Sequence, residues 1–126
     1  MTKRSLLALT LLFPLASAAP LDLPAVTHYN LDIHFHLKEQ RLAATASMTV
    51  TNSSTESRSR LPFLLYRLLT VERVEGPAGT PLPFRQNVMQ LADEPSLQAN
   101  AVVVDLPSEL RQGDSVTIRM QYGGFM

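Results

Sequence analysis

Between His28 and Leu37 apolar and polar residues alternate without a break. Tyr29, Leu31, Ile33, Phe35 and Leu37 hold one phase, and His28, Asn30, Asp32, His34 and His36 hold the other. Side chains of an extended chain point alternately to opposite faces, so this period predicts a strand with one buried and one wet face. Lys38-Glu39-Gln40-Arg41 is a polar turn. Beyond it, Leu42, Ala44, Ala46, Met48 and Val50 alternate with Ala43, Thr45, Ser47, Thr49 and Thr51. Two long in-phase strands joined by a short polar link make a hairpin. The small alanines of the second strand predict close packing by an opposing layer.

The rest of the chain keeps the same character. Asn52 to Arg60 is a polar loop, and Leu61-Pro62-Phe63-Leu64-Leu65-Tyr66 is apolar in both phases, as in a strand covered on both sides. The phase falters at Arg67-Leu68, which predicts a bend or bulge. Leu69 to Val74 is a further β-type run, and Gly76 to Pro81 a turn cluster. Asn87 to Ala92 is a short strand, Asp93 to Asn100 a loop, and Ala101 to Leu106 a β-branched strand. Pro107 is expected to end that strand, because it cannot donate to the ladder. Gly113 suits the positive φ of a tight turn. Val116 to Tyr122 forms the last alternating strand, with Gly123-Gly124 expected to bend the chain sharply after it. No stretch beyond the N-terminal region shows a period of 3.6, and no repeat is present. The fold class predicted is all-β: an antiparallel sandwich or saddle of about seven strands. The chain closes on Phe125-Met126, apolar where chain ends are ordinarily polar. We therefore expect the opening part of a larger protein, interrupted within a domain.

Composition adds a compartment. Met1 to Arg4 is a short basic segment, Leu6 to Leu15 an uncharged apolar one, and Ala16-Ser17-Ala18 a small-x-small cleavage pattern. Together they predict a signal peptide helix over residues 1–18, then an extended leader over 19–25 and the β domain over 26–126. The apolar core, about ten residues long, is too short to span a bilayer, so no stable membrane anchor is expected after cleavage. Losing Lys3 and Arg4 takes the 11 basic and 11 acidic residues to 9 and 11, a net charge of −2. No basic patch argues for nucleic acid, and no Lys/Arg cluster for anionic lipid. An exported chain without cysteine cannot rest on disulfides, which points to a bacterial periplasmic or secreted protein. Asn52-Ser53-Ser54 matches a glycosylation acceptor but reads as a polar turn.

The chemistry-bearing residues are few. Asp32, His34 and His36 share a strand face, with His28 further along it. Alternate histidines on a strand can share a metal, so His34 and His36 are the candidate ligands. A solvent-facing strand that happens to carry histidines is the plainer reading, and the expected metal set is none. The sequence holds no HExxH, no Gly-x-Ser-x-Gly and no phosphate loop. No catalytic and no cofactor-binding residue is assigned. Tyr66 and Arg67, at the end of an apolar run, read as an amphipathic edge. Tyr122 to Met126 spell the opioid pentapeptide Met-enkephalin, but Met120-Gln121 precede it in place of a dibasic pair. We read the match as coincidence.

The order of these features resembles a known family. Val26-Thr27-His28-Tyr29-Asn30-Leu31-Asp32-Ile33 opens a long hairpin, followed by Leu69 to Val74, a Gly-Pro turn, and Leu82 and Phe84. Val104-Asp105-Leu106-Pro107-Ser108-Glu109-Leu110-Arg111-Gln112-Gly113-Asp114 and then Ile118 to Gly124 close the pattern. This resembles the N-terminal β domain of M1 zinc aminopeptidases, which opens with Y-x-L-x-I and later carries L-P-x-x-L-x-x-G and Y-x-G. The resemblance covers roughly residues 25–124. It implies a saddle-shaped domain packed on a thermolysin-like metallopeptidase domain, the expected partner, and helping to wall its active site. It implies zinc in the full-length parent, held by HExxH and a distant Glu, with Gly-x-Met-x-Asn anchoring the substrate amine. None of these segments is in the sequence given, so no family site residue maps onto it. Two other readings stay open: a free-standing secreted sandwich binding protein or glycan, and a small periplasmic metal-binding protein using His34 and His36.

Overall fold

The computed structural model describes residues 23–91, 93–94 and 96–126. The expected signal peptide and most of the leader lie outside them. Seven strands follow in order: β1 (Ala25–His36), β2 (Arg41–Thr51), β3 (Arg58–Tyr66), β4 (Leu69–Glu75), β5 (Phe84–Gln90), β6 (Gln98–Leu110) and β7 (Ser115–Phe125). They form two antiparallel sheets, one ordered β1-β2-β7-β4 and one β3-β6-β5. The predicted all-β sandwich is the observed architecture.

The core lies between the sheets. Ala44, Ala46, Met48 and Val50 of β2, Val71 and Val74 of β4, and Ile118, Met120 and Tyr122 of β7 face Leu61, Val102 and Val104. The alanines of β2 are buried as expected, and their small size lets the opposing sheet approach. Val71 and Val74 both point inward because the β4–β7 register shifts between Val71 and Arg73, leaving Glu72 unmatched on an exposed bulge.

Several expectations are corrected. The apolar face of β1 is not buried: Tyr29, Leu31, Ile33, Phe35 and Leu37 are all exposed. The alternation does mark a strand, but the second sheet covers β2, β7 and β4 and leaves β1 overhanging. On β3 only Leu61 and Pro62 are buried; Leu64 and Tyr66 are exposed, so that strand is not covered along both faces. Arg67-Leu68 is neither bend nor bulge within a strand. It is a two-residue turn that carries the chain from one sheet to the other.

Pro107 does not end its strand, because β6 runs on to Leu110. The β3–β6 register jumps from Arg60↔Asp105 to Arg58↔Leu110, so Pro107 lies in an irregular stretch where no ladder donor is required. Gly123 and Gly124 do not bend the chain either. They sit inside β7, paired with Ala43 and Leu42 on one side and with Thr70 and Leu69 on the other. A Cβ on Gly124 would lie 2.1 Å from the Leu68 carbonyl oxygen, and one on Gly123 would lie 2.8 Å from that of Leu42. These glycines let three backbones approach closely. Gly113 does adopt the expected positive φ, 86°, in the β6–β7 turn.

Candidate functional site: an open edge beside an apolar cleft

The two edges of the four-stranded sheet differ in how their backbone is satisfied. At β4, the Gln86 side chain reaches across from β5. Its Oε1 accepts from the Val71 N–H and its Nε2 donates to the Val71 carbonyl, both at 3.0 Å. The Asn100 amide of β6 donates to the carbonyls of Leu69 and Arg67. Asn100 shares its strand phase with Val102 and Val104 and is buried with them, so its polar atoms need these partners. Side chains of one sheet thus close the edge of the other.

At β1 the arrangement is reversed. β1 pairs with β2 from Ala25↔Thr51 to His36↔Arg41 and, among the described residues, has no strand on its other side. All twelve of its residues are exposed. Its apolar stripe extends the inner face of the sheet beyond the cover of β3. Where Leu23 and Pro24 pass beside β3, a cleft of about 220 Å³ opens, lined by Val26, Tyr29, Met48, Phe63 and Tyr122 among others. Drug-sized sites hold roughly 300–1,000 Å³, so this cleft is on the scale of a single side chain. The Tyr122 phenol is pushed up to about 12, first by burial and then by its charge interaction and hydrogen bond with Tyr29.

The polar face of β1 carries the residues the sequence singled out. The Nε2 of His34 lies 3.6 Å from Oδ1 of Asp32, both side chains being mostly in solvent, where such a pair contributes little. A shallow polar recess beside them includes Thr45, Glu72 and Gln121. His36 stands opposite Arg41 and His28 opposite Thr49. Asp32 and His36 are four positions apart on one strand, roughly 13 Å, too far to share an ion. Among the described residues no group of three or more His, Cys, Asp or Glu side chains could hold a metal ion. These residues do not fit the zinc that the resemblance implies for the parent. Tyr66 is exposed at the end of β3, and the Arg67 carbonyl serves as an acceptor for Asn100.

Asn52 is indeed a structural turn residue. It is buried, its Nδ2 donates to the carbonyls of Glu56 and Leu110, and its Oδ1 accepts from the Ser54 N–H. A folded chain leaves that nitrogen no room for a glycan. The capping roles of Gln86 and Asn100 went unread in the sequence, although a polar residue in phase with Val102 and Val104 was a signal for the second.

The chain matches no protein-family model and no curated protein. Solved structures do match it. An M1 zinc metallopeptidase of Deinococcus radiodurans, solved as a mutant bound to a Tyr-Ser-Ala substrate, is 26% identical with a TM-score of 0.60. The match covers 79% of this chain and 20% of that one. Another structure of an M1 zinc metallopeptidase from that organism is 24% identical, with a TM-score of 0.63, over 84% of this chain and 21% of that one. The leukotriene A4 hydrolase of Saccharomyces cerevisiae shares the fold at 16% identity and a TM-score of 0.59, over 79% of this chain and 14% of its own. The likeness is thus to M1 zinc metallopeptidases, the family the sequence motifs resemble. This chain spans about a fifth of the length of the first structures it matches.

Proposed function

We propose that this chain is the N-terminal β domain, in whole or in part, of an exported M1-type zinc aminopeptidase. The observation that carries the reading is the 26% identity with the Deinococcus metallopeptidase over 79% of the chain. The ordered motifs, from Tyr29-Asn30-Leu31-Asp32-Ile33 to Tyr122-Gly123-Gly124, support it independently. The role is structural: the domain packs on a metallopeptidase domain and shapes access to it. That second domain supplies the HExxH, the zinc and the hold on the substrate amine. Peptides are the substrate class, as for the Deinococcus enzyme bound to Tyr-Ser-Ala. Export to the periplasm or beyond rests on the basic, apolar and small-residue order of residues 1–18.

Two measurements test the proposal. The gene read beyond codon 126 should continue in frame to an HExxH; a continuation into an unrelated domain would contradict it. The chain alone, supplied with zinc, should not hydrolyse aminoacyl-p-nitroanilides, and zinc-dependent turnover would place catalysis where we assign none.

A further inference from the structure

The exposed edge of β1 is self-complementary. Set antiparallel to a second copy with Ile33 opposite Ile33, it brings Asp32 opposite His34 and His34 opposite Asp32. A histidine donates to a carboxylate either as imidazolium or through its neutral N–H, so both reciprocal pairs are favourable. The same register sets Leu31 against Phe35 and Tyr29 against Leu37. Every apolar side chain of the stripe then gains an apolar cross-strand neighbour on its open flank. Adjacent registers are poorer. Centring on Asp32 apposes two carboxylates, and centring on His34 apposes two imidazoles and carries the pairing two residues further into the Leu37–Gln40 turn, setting Tyr29 against Glu39 in place of Leu37.

We propose that β1 pairs antiparallel with β1 of a second copy about a two-fold axis at Ile33. The two four-stranded sheets then become one sheet of eight. The contact is isologous and closes at the dimer. It removes a hydrogen-bonding edge that proteins otherwise guard, and it cannot propagate through β4, whose edge Gln86 and Asn100 occupy. Charge and apolar matching within one strand sequence favour a second copy over a foreign strand. The inference stands on β1 and does not rest on the peptidase reading.

The chain contains no cysteine, so introduced thiols report the register. Directly opposed residues lie about 5 Å apart at Cα, within disulfide range. Two Leu31 positions would lie roughly 13 Å apart along the pair. On mild oxidation of the full chain, Ile33→Cys should give covalent dimer at least about ten-fold faster than Leu31→Cys. Sedimentation equilibrium of the unmodified chain should give twice the monomer mass. Asp32→Lys should raise the dimer dissociation constant at least about ten-fold, and the exchange of Asp32→His with His34→Asp should restore it. Asp32 is 74% exposed, so these changes leave the fold intact. A chain that stays monomeric, that forms only larger species, or that cross-links equally well through Leu31→Cys would overturn the proposal.

Discussion

At β4 the outward backbone groups of Val71 and Leu69 are taken by Gln86 and Asn100; at β1, across the same sheet, no strand or amide side chain among the described residues stands beyond the edge. The difference is not one of hydrophobicity, because both strands are close to half apolar. It lies in what the second sheet reaches. Three strands cover β2, β7 and β4 and stop short of β1, so the same alternating pattern yields a core face on β2 and an exposed face on β1. A closed edge completes a unit, whereas an open edge with an apolar face marks where another chain segment or subunit belongs.

The closed side should be the fragile one. Gly124→Ala would force a Cβ to within 2.1 Å of the Leu68 oxygen, where the backbones of β7 and β4 meet. We expect a loss of about 3 kcal/mol or more, read as failure to fold or a collapse of the urea midpoint. Gln86→Met keeps the side-chain length but strands the Val71 N–H and carbonyl. It should cost about 1–3 kcal/mol in the same measurement. An unchanged midpoint would mean that water satisfies β4 as well as Gln86 does.

A third change probes the boundary between the two sides. Tyr122 faces the cleft next to β1, and its pKa in the folded chain is raised from 10.0 to about 12. A raised acid holds its proton in the folded state, so its stabilisation is complete below pH 10 and is lost as pH climbs towards 12. Thermal melts across that window should show a steeper fall for the natural chain than for Tyr122→Phe. Parallel slopes would place the phenol in water. The smallest effect belongs to the open side: Phe35→Ser, at a position 58% exposed, should move monomer stability by no more than about 0.5 kcal/mol. A loss comparable to that of a core residue would show that β1 is covered in solution.

Much of this architecture was legible in the sequence. Period-2 runs located the β1–β2 hairpin and the strand phases of β2 and β7, because alternation is a local property that pleating converts directly into faces. The turn at Pro77–Gly79 and the positive φ of Gly113 were equally local. What failed was whatever depended on the width of the opposing sheet. Nothing in Tyr29-Asn30-Leu31-Asp32-Ile33 tells whether a second layer extends far enough to cover it. Pro107 and Gly123-Gly124 misled for a related reason: their usual local meaning gave way to register and backbone proximity set by distant strands. The candidate site was half visible. His34 and His36 do stand on a wet face, but the feature beside them that distinguishes the molecule, the uncovered stripe of β1, has the same alternation as a core strand.

Amide hydrogen exchange, followed residue by residue across a dilution series, tests the contrast between the edges most directly. We predict that the Val71 N–H, bonded to Gln86, is protected at every concentration, while β1 amides not bonded to β2 exchange freely when dilute and gain protection as concentration rises. Exchange at Val71 as fast as at the β1 edge, with no dependence on concentration at either, would contradict the account.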